Sequence, residues 1–357
     1  MVASAVLEKP APAVRAQGAG RARAVAADVG FGYTKSVGAS GLRSCFPSVT
    51  APDGADALGL GEALGGRAIG HKVSVRLPDG RREAFLVGEA AQESFMAASF
   101  LGAEKPAPLH DALLLAAAYL VGGGGEGPLP GQTALAVGLP LAFYRAQRAA
   151  LAERLTRLGA WVSVDGGPER WFSFQPVAVF PQGAGVVFAQ EDLPRRSYAG
   201  VVDVGEYTCD YLVVDLETSR PVVEASGSVE AGCHLVAQRV AQAYLAKTGR
   251  PLPPRLTRKA LRDVAEIGRT VFRGREIDLA EEYRAAVRDA AEAVSRHVLS
   301  AWRDLADSLE LTLLAGGGAL LLGEVLARAF PNAQVVDDPV FANAKGYLKA
   351  LSRMIPV

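Results

Sequence analysis

The chain has 357 residues, with 38 basic against 38 acidic side chains, 50% apolar residues and 21% charged ones. That length suggests two or three domains with real cores, and the balanced charge gives no global field to attract polyanions, which argues against nucleic-acid binding by bulk electrostatics. Cys45, Cys209 and Cys233 include no C-x-x-C pair, so neither a disulfide framework nor a thiolate zinc site is expected, and a reducing cytoplasm fits best. The longest apolar runs, Ala112 to Val121 and Leu311 to Leu322, are too short for a bilayer.

Residues 1–23 carry Glu8 and Lys9 where a signal peptide needs its apolar centre, followed by Pro10, Pro12 and several arginines. This stretch is expected to be a disordered, mildly basic tail. Val25 to Val29 and Thr34 to Val37 then predict two strands joined by a glycine-rich turn. Further strands are predicted at Ser44 to Val49, Val73 to Leu77 and Ala84 to Val87, the last two joined at Asp79-Gly80. Leu109 to Val121 predicts a helix, Gly122 to Gly131 a loop, and Thr133 to Val137 a strand ending at Gly138-Leu139-Pro140. Leu141 to Leu158 predicts an amphipathic helix, Val162 to Phe174 a hairpin broken at Asp165-Gly166-Gly167, and Val177 to Phe180 a strand leading into Pro181-Gln182-Gly183.

A second block then repeats the opening theme. Tyr198 to Val202 leads into Asp203-Val204-Gly205-Glu206-Tyr207-Thr208-Cys209-Asp210 and a returning strand, Tyr211 to Val214. The first copy reads Asp28-Val29-Gly30-Phe31-Gly32-Tyr33-Thr34-Lys35. Both place an Asp at a strand end and a Gly two residues later. Such a turn can aim backbone N–H groups at phosphate oxygens while the carboxylate holds a hydrated Mg²⁺. Two such hairpins facing each other would clamp a nucleotide, although a D-x-G turn taken singly is as often just a turn. A third element, Leu311 to Leu320, enters a helix through Gly316-Gly317-Gly318, where absent side chains allow close approach to a ring or a phosphate. No G-x-x-x-x-G-K-[ST] occurs, so a P-loop is excluded, and no G-x-G-x-x-G supports a dinucleotide site here.

Together these motifs resemble the actin, sugar kinase and heat-shock chaperone ATPase superfamily, and within it the bacterial and archaeal actin-like proteins of the ParM type. Asp28 to Lys35 is similar to the first phosphate motif, Pro181-Gln182-Gly183 to the first connecting segment, and Asp203 to Asp210 to the second phosphate motif. Leu314 to Gly318 is similar to the adenosine motif and Asp337 to Leu348 to the second connecting helix. Phe46-Pro47-Ser48, Val87-Gly88-Glu89 and Val137-Gly138-Leu139-Pro140 resemble lesser signatures of the branch.

The resemblance implies an α/β, actin-like two-lobed fold of duplicated ribonuclease-H-like domains with a nucleotide cleft between them. Domain I would span 24–190 with a C-terminal helix at 340–357 packing back, and domain II 191–339. It implies an ATPase that binds Mg-ATP (GTP stays open), polymerises into filaments and disassembles after hydrolysis, with plasmid or DNA segregation as the role. Gln182 and Asp203 would be catalytic, and Asp28 and Asp203 would hold Mg²⁺ through water. Nucleotide contacts would come from Asp28, Gly30, Gly32, Tyr33, Thr34, Lys35, Gly205, Glu206, Tyr207, Thr208, Gly232, Gly316, Gly317, Gly318 and Asn343. The implied partners are further copies of the chain and a DNA-binding adaptor, with no direct nucleic-acid contact and no membrane insertion.

Glu206, Tyr207, Phe31 and Tyr33 depart from the small or hydroxyl residues common at their positions. Cys209 reads as a buried small hydrophobe. His71, His110, His234 and His297 are scattered without ligand spacing, and Arg255, Arg258, Lys259 and Arg262 read as a solvated helix face. Asp278 to Leu309 predicts one long or two consecutive helices. Two other functions share these phosphate motifs: a non-polymerising ATP-dependent scaffold of the cell-division or pilus-assembly kind, and a small-molecule kinase.

Overall fold

The computed structural model describes residues 23–53, 70–92, 94, 97–99, 106–194 and 197–355. Two compact units divide the chain: one takes residues 23–194, 226–228 and 336–355, the other 197–225 and 229–335. Residues 1–22 of the expected tail lie outside the described residues, while Arg23 already opens a strand.

In the first unit the elements follow as β1 (Arg23–Val29), β2 (Tyr33–Gly38), β3 (Arg43–Pro47), β4 (Val49–Pro52), β5 (His71–Arg76), β6 (Arg82–Val87), the short α1 (Glu89–Gln92) and β7 (Ala98–Ser99). Then come α2 (Ala107–Leu120), β8 (Thr133–Leu139), α3 (Leu141–Arg157), β9 (Gly159–Val164), β10 (Arg170–Pro181) and α4 (Ala184–Ala189), with α9 (Ala342–Met354) returning from the end of the chain. They form one sheet in the order β3-β2-β1-β8-β10-β9-β5-β6-β4-β7. Only β1, β8 and β10 run parallel to one another, and both faces of this centre are covered. Alternation along β1 assigns the layers: Val25, Ala27 and Val29 join the core that holds Leu113 and Ala117 of α2. Ala24 and Ala26, with Ala134, Ala136 and Ala178, meet Tyr347 and Leu351 of α9. Alanine on that face lets the helix lie close to the sheet, and a Cβ at Gly346 would meet the carbonyl oxygen of Gly185 at 1.8 Å.

Two expectations change here. The strands foreseen at 170–174 and 177–180 are one strand, β10, whose first half pairs with β9 and whose second half pairs with β8 after a register shift between Phe174 and Val177. The strand foreseen from Ser44 to Val49 breaks at Ser48, because the backbone N–H and hydroxyl of that residue are drawn to the first hairpin.

The second unit is built on a sheet in the order β13-β12-β11-β17-β18. Its elements are β11 (Tyr198–Val204), β12 (Cys209–Asp215), β13 (Arg220–Pro221), α5 (His234–Thr248), α6 (Pro254–Ile267), β15 (Arg269–Phe272) and β16 (Arg275–Asp278), with the short β14 (Gly227–Val229) cut by the division between the units. α7 (Ala280–Trp302), β17 (Leu309–Ala315), α8 (Ala319–Leu326) and β18 (Ala333–Val335) complete it. β11, β17 and β18 are parallel. Val236 and Val240 of α5, Val294 and Trp302 of α7 and Leu322 of α8 share one core with Val202, Val213 and Leu314 of the sheet. The helical stretch foreseen over 278–309 is the 23-residue α7 followed by a 3-10 segment, Arg303–Ser308. No helix among the described residues is long and apolar enough to cross a membrane.

Candidate functional site

Each unit presents one of the two repeated hairpins at the carboxyl ends of its parallel strands, where ligands of open α/β sheets are generally received. In the first unit, Asp28 on β1 faces Lys35 on β2 as its cross-strand partner. Lys35 Nζ lies 3.3 Å from Asp28 Oδ2, and the side-chain amide of Gln182 donates to Oδ1 at 2.8 Å. Asp28 and Gln182 are only 5% and 7% exposed, so the carboxylate sits among donors instead of bulk water. Gln182 follows the end of β10, and its own N–H donates to the Leu139 carbonyl of β8 at 2.7 Å. The next residue, Gly183, donates its N–H to Asn343 Oδ1 of α9 at 3.0 Å. Three strand ends and a helix thus hold one amide group against one carboxylate.

The tip of this hairpin is anchored from behind. Ser48 donates its backbone N–H to Gly32 O at 2.9 Å and its hydroxyl to Gly30 O at 2.7 Å, and it shares a 2.9 Å hydroxyl contact with Thr34. Gly30 N–H closes the turn on Tyr33 O at 3.1 Å. Carbonyl oxygens, which would repel a phosphate, are therefore occupied on the inner side. The Thr34 hydroxyl is fully buried in this contact, so Thr34 supports the tip and does not present its oxygen outward. Phe31 is half-buried against the core, and Tyr33 is half-buried as well.

The second unit repeats this construction with other residues. Gly205 N–H closes the turn on Thr208 O at 2.8 Å. Behind it, the first N–H groups of α5 and its approach take over the part of Ser48: Cys233 donates to Gly205 O at 3.1 Å and His234 to Glu206 O at 2.8 Å. The glycine at 232 makes that approach possible, since a Cβ there would meet the carbonyl oxygens of Glu206 and Gly205 at 2.6 and 2.7 Å. Tyr207 is 47% exposed and stacks on the His234 ring at 5.2 Å between centroids. Glu206 and Thr208 are half-buried.

Asp203, 8% exposed, pairs across the hairpin with buried Asp210 and lies in register with Ala315 of β17. The glycine turn that follows β17 folds over this strand end. Gly316 adopts φ +82°, and a Cβ on it would come within 2.3 Å of Val204 O and 2.5 Å of Asp203 Oδ1. Gly318 donates its N–H to Val204 O at 2.8 Å, whereas a Cβ at Gly317 would meet nothing. Cys209 is fully buried, and burial, reinforced by Asp210 and Asp203, pushes its thiol well above the usual range.

No group of three or more His, Cys, Asp or Glu suited to enclosing a metal ion occurs among the described residues. Taken each in its own unit, the strand-end carboxylates Asp28 and Asp203 have the chemistry for a hard, hydrated cation such as Mg²⁺, which takes most of its ligands from water and phosphate.

The sequence-derived residues thus gather in two sets. Asp28, Gly30, Gly32, Tyr33, Thr34, Lys35, Gln182 and Asn343 come together in the first unit, with Thr34 and Asn343 in supporting positions. Asp203, Gly205, Glu206, Tyr207, Thr208, Gly232, Gly316, Gly317 and Gly318 come together in the second. Sequence reasoning placed Asp210 in the second phosphate motif and Ser48 in a lesser signature without giving either a role in the site, and it missed His234. The repeat itself carried a signal for Asp210, which takes the place of Lys35, but nothing in the sequence marked His234.

Residues 26–185 match the family described as actin like proteins N terminal domain, and residues 201–328 match archaeal actin homologue MreB-like, C-terminal. The archaeal actin homologue of Thermoplasma acidophilum is 28% identical over 336 residues, covering 92% of this chain and 98% of that one. Among solved structures, a 15-stranded ParM filament from Clostridium botulinum superposes with a TM-score of 0.79 at 24% identity, over 93% of this chain and 99% of the other. An archaeal actin homologue in complex with ADP gives 0.72 at 25% identity, over 92% and 99%.

Proposed function

The chain belongs to the actin-like ATPase superfamily, in the group of ParM and the archaeal actin homologues, and on that premise we propose that it binds Mg-ATP through its two hairpins, assembles into filaments and disassembles after hydrolysis. The observation that carries this reading is the shared construction of the hairpins: in each, a strand-end Asp stands beside a tip whose carbonyls are bonded from behind. Such tips are ready to receive phosphate oxygens on backbone N–H groups, with Gly32, Tyr33, Glu206 and Tyr207 as donors and Thr208 beside them, while Gly30 and Gly205 spend their N–H groups on closing the turns and leave room for the phosphates.

Lys35 would contact and neutralise phosphate charge. Gln182, oriented by its bond to Asp28, would place the attacking water, a task for which an amide suffices because phosphoryl transfer depends on positioning more than on a strong base. Water attacks the terminal phosphorus, the bond to the bridging oxygen breaks, and ADP and phosphate leave. Mg²⁺, held through water by Asp28 and Asp203, would supply neutralisation of the phosphate charge. Gly316, Gly317 and Gly318 would admit the nucleoside close to the backbone, Gly232 would line the same side, and Asn343 would keep Gln182 and Gly183 in place.

A ParM relative forms filaments and an archaeal relative binds ADP, which supports assembly and nucleotide binding in this chain. Segregation of DNA through an adaptor protein is the biological role we propose for such filaments. Pelleting and light scattering with Mg-ATP, Mg-GTP, Mg-ADP and a non-hydrolysable ATP analogue, with phosphate release followed in parallel, test the reading. Polymer is expected with ATP and with the analogue, and decay only where phosphate appears. Nucleotide binding without any sedimentable polymer would overturn the filament role and leave the scaffold or kinase reading.

A further inference from the structure

An open groove of about 570 Å³ crosses the first unit away from its hairpin. The turn between β5 and β6 lines it with Leu77, Pro78, Asp79 and Arg81, the loop before β8 with Pro128 and Pro130, and β10 with Trp171. Trp171 is half-buried, and its indole Nε1–H is enclosed within the protein, so what the ring offers the groove is apolar. A tryptophan between prolines is the chemistry that receives polyproline II segments, whose ridged, already extended backbone loses little entropy on docking.

The chain itself carries such a segment. Lys9-Pro10-Ala11-Pro12 lies upstream of Arg23. Each proline ring sets φ near −65° and pushes the preceding residue toward extended backbone, so the sequence favours polyproline II. The described chain also begins beside the groove. Arg23 pairs with Thr133 of β8, and Thr133 pairs with Phe174 of β10, next to groove residue Ser173, so the distance is about two strand spacings, roughly 10 Å. Arg23 further bonds the carbonyl of Gly124, in the loop that continues to Pro128 and Pro130. The residues from Pro12 to Arg23 reach up to about 36 Å when extended and include Gly18 and Gly20, so the span is covered with slack.

We propose that the Pro10–Pro12 segment docks in the Trp171 groove of its own chain. The segment would fasten the N-terminal stretch along the face that holds the loop before β8, its proline rings against the ring of Trp171.

The test uses the full chain labelled with 5-fluorotryptophan, in which Trp161, Trp171 and Trp302 give three ¹⁹F resonances, assigned with Trp171→Phe or, should that variant not fold, with Trp161→Phe and Trp302→Phe. Deleting residues 2–16 is expected to shift the Trp171 resonance, and a synthetic peptide of residues 4–16 added in trans is expected to restore it. The same peptide carrying Pro10→Gly and Pro12→Gly is expected to leave it unmoved. A Trp171 resonance identical in the full and shortened chains would overturn the proposal, as would a shift that vanishes on dilution, because the occupant would then come from a second copy. Tryptic cleavage after Arg15 gives an independent readout in variants whose changes lie outside the folded units. The unsubstituted chain is expected to be cut about three- to tenfold more slowly than the Pro10→Gly, Pro12→Gly chain, since cleavage tracks the undocked population. Equal rates would count against docking.

Discussion

Gln182 and Asp28, 154 residues apart in sequence, share a buried hydrogen bond of 2.8 Å at the end of β1. The bond holds the amide in one rotamer and gives the carboxylate a donor opposite Lys35. Replacing Gln182 with Ala is expected to lower phosphate release by about a hundredfold, because an unpositioned water loses most of its advantage, while changing nucleotide affinity less than about threefold. Single-turnover phosphate release beside equilibrium titration of a fluorescent ATP analogue separates the two effects.

Ser48 is expected to matter through the hairpin it anchors. Ser48→Ala removes the donor to Gly30 O and the partner of fully buried Thr34, at a cost of about 1–3 kcal/mol in urea denaturation. The freed carbonyl is also expected to weaken nucleotide binding. Ser48→Thr, which keeps a hydroxyl, is expected to recover part of both.

The glycines after β17 are expected to behave oppositely. Gly316→Ala places a methyl group against Val204 O and Asp203 Oδ1 at a positive φ, and a loss of about 2–4 kcal/mol in unfolding free energy is expected. Gly317→Ala meets no protein atom and is expected to cost under about 1 kcal/mol. If the nucleoside approaches this turn, Gly317→Ala will still weaken nucleotide binding at nearly unchanged stability, which calorimetric titration reads directly.

Thiol chemistry should report burial. Burial pushes the Cys45 thiol up to about 11 although Lys35 pulls it down, and burial carries Cys209 well above its ordinary value. At pH 8 both are expected to resist iodoacetamide until the chain unfolds, as peptide mass mapping would show. Because the folded state holds the Cys45 proton more tightly than the unfolded chain, its contribution to stability is full below about pH 9 and is lost as pH rises toward 11.

The acid limb should respond to Asp165. Partial burial raises the pKa of this carboxyl, but hydrogen bonds from His71 and from the Lys72 N–H outweigh that and hold it below the usual carboxylate range. The stabilisation is therefore present above about pH 4, the unfolded value, and disappears as pH falls through the lower folded value. The stability difference between the unsubstituted chain and Asp165→Asn is expected to shrink below pH 4 in denaturant titrations.

The sequence by itself determined the local units of this protein. Short continuous apolar runs ending in Asp and Gly marked β1 with β2 and β11 with β12, and the repetition of that pattern 175 residues later marked their kinship, because strand burial and turn chemistry are written in neighbouring residues. Glycine at 316 to 318 was legible for the same reason. Only the tertiary structure decided what stands behind the turns. Ser48 supports one hairpin while Cys233 and His234 support the other, and Thr34 faces inward instead of outward. These contacts join residues 14 to 28 positions apart, and the bonds of Gln182 to Asp28 and of Gly183 to Asn343 join residues more than 150 apart. Such pairs form because buried polar groups must find partners wherever packing brings them, and packing belongs to the whole chain, not to any stretch of it.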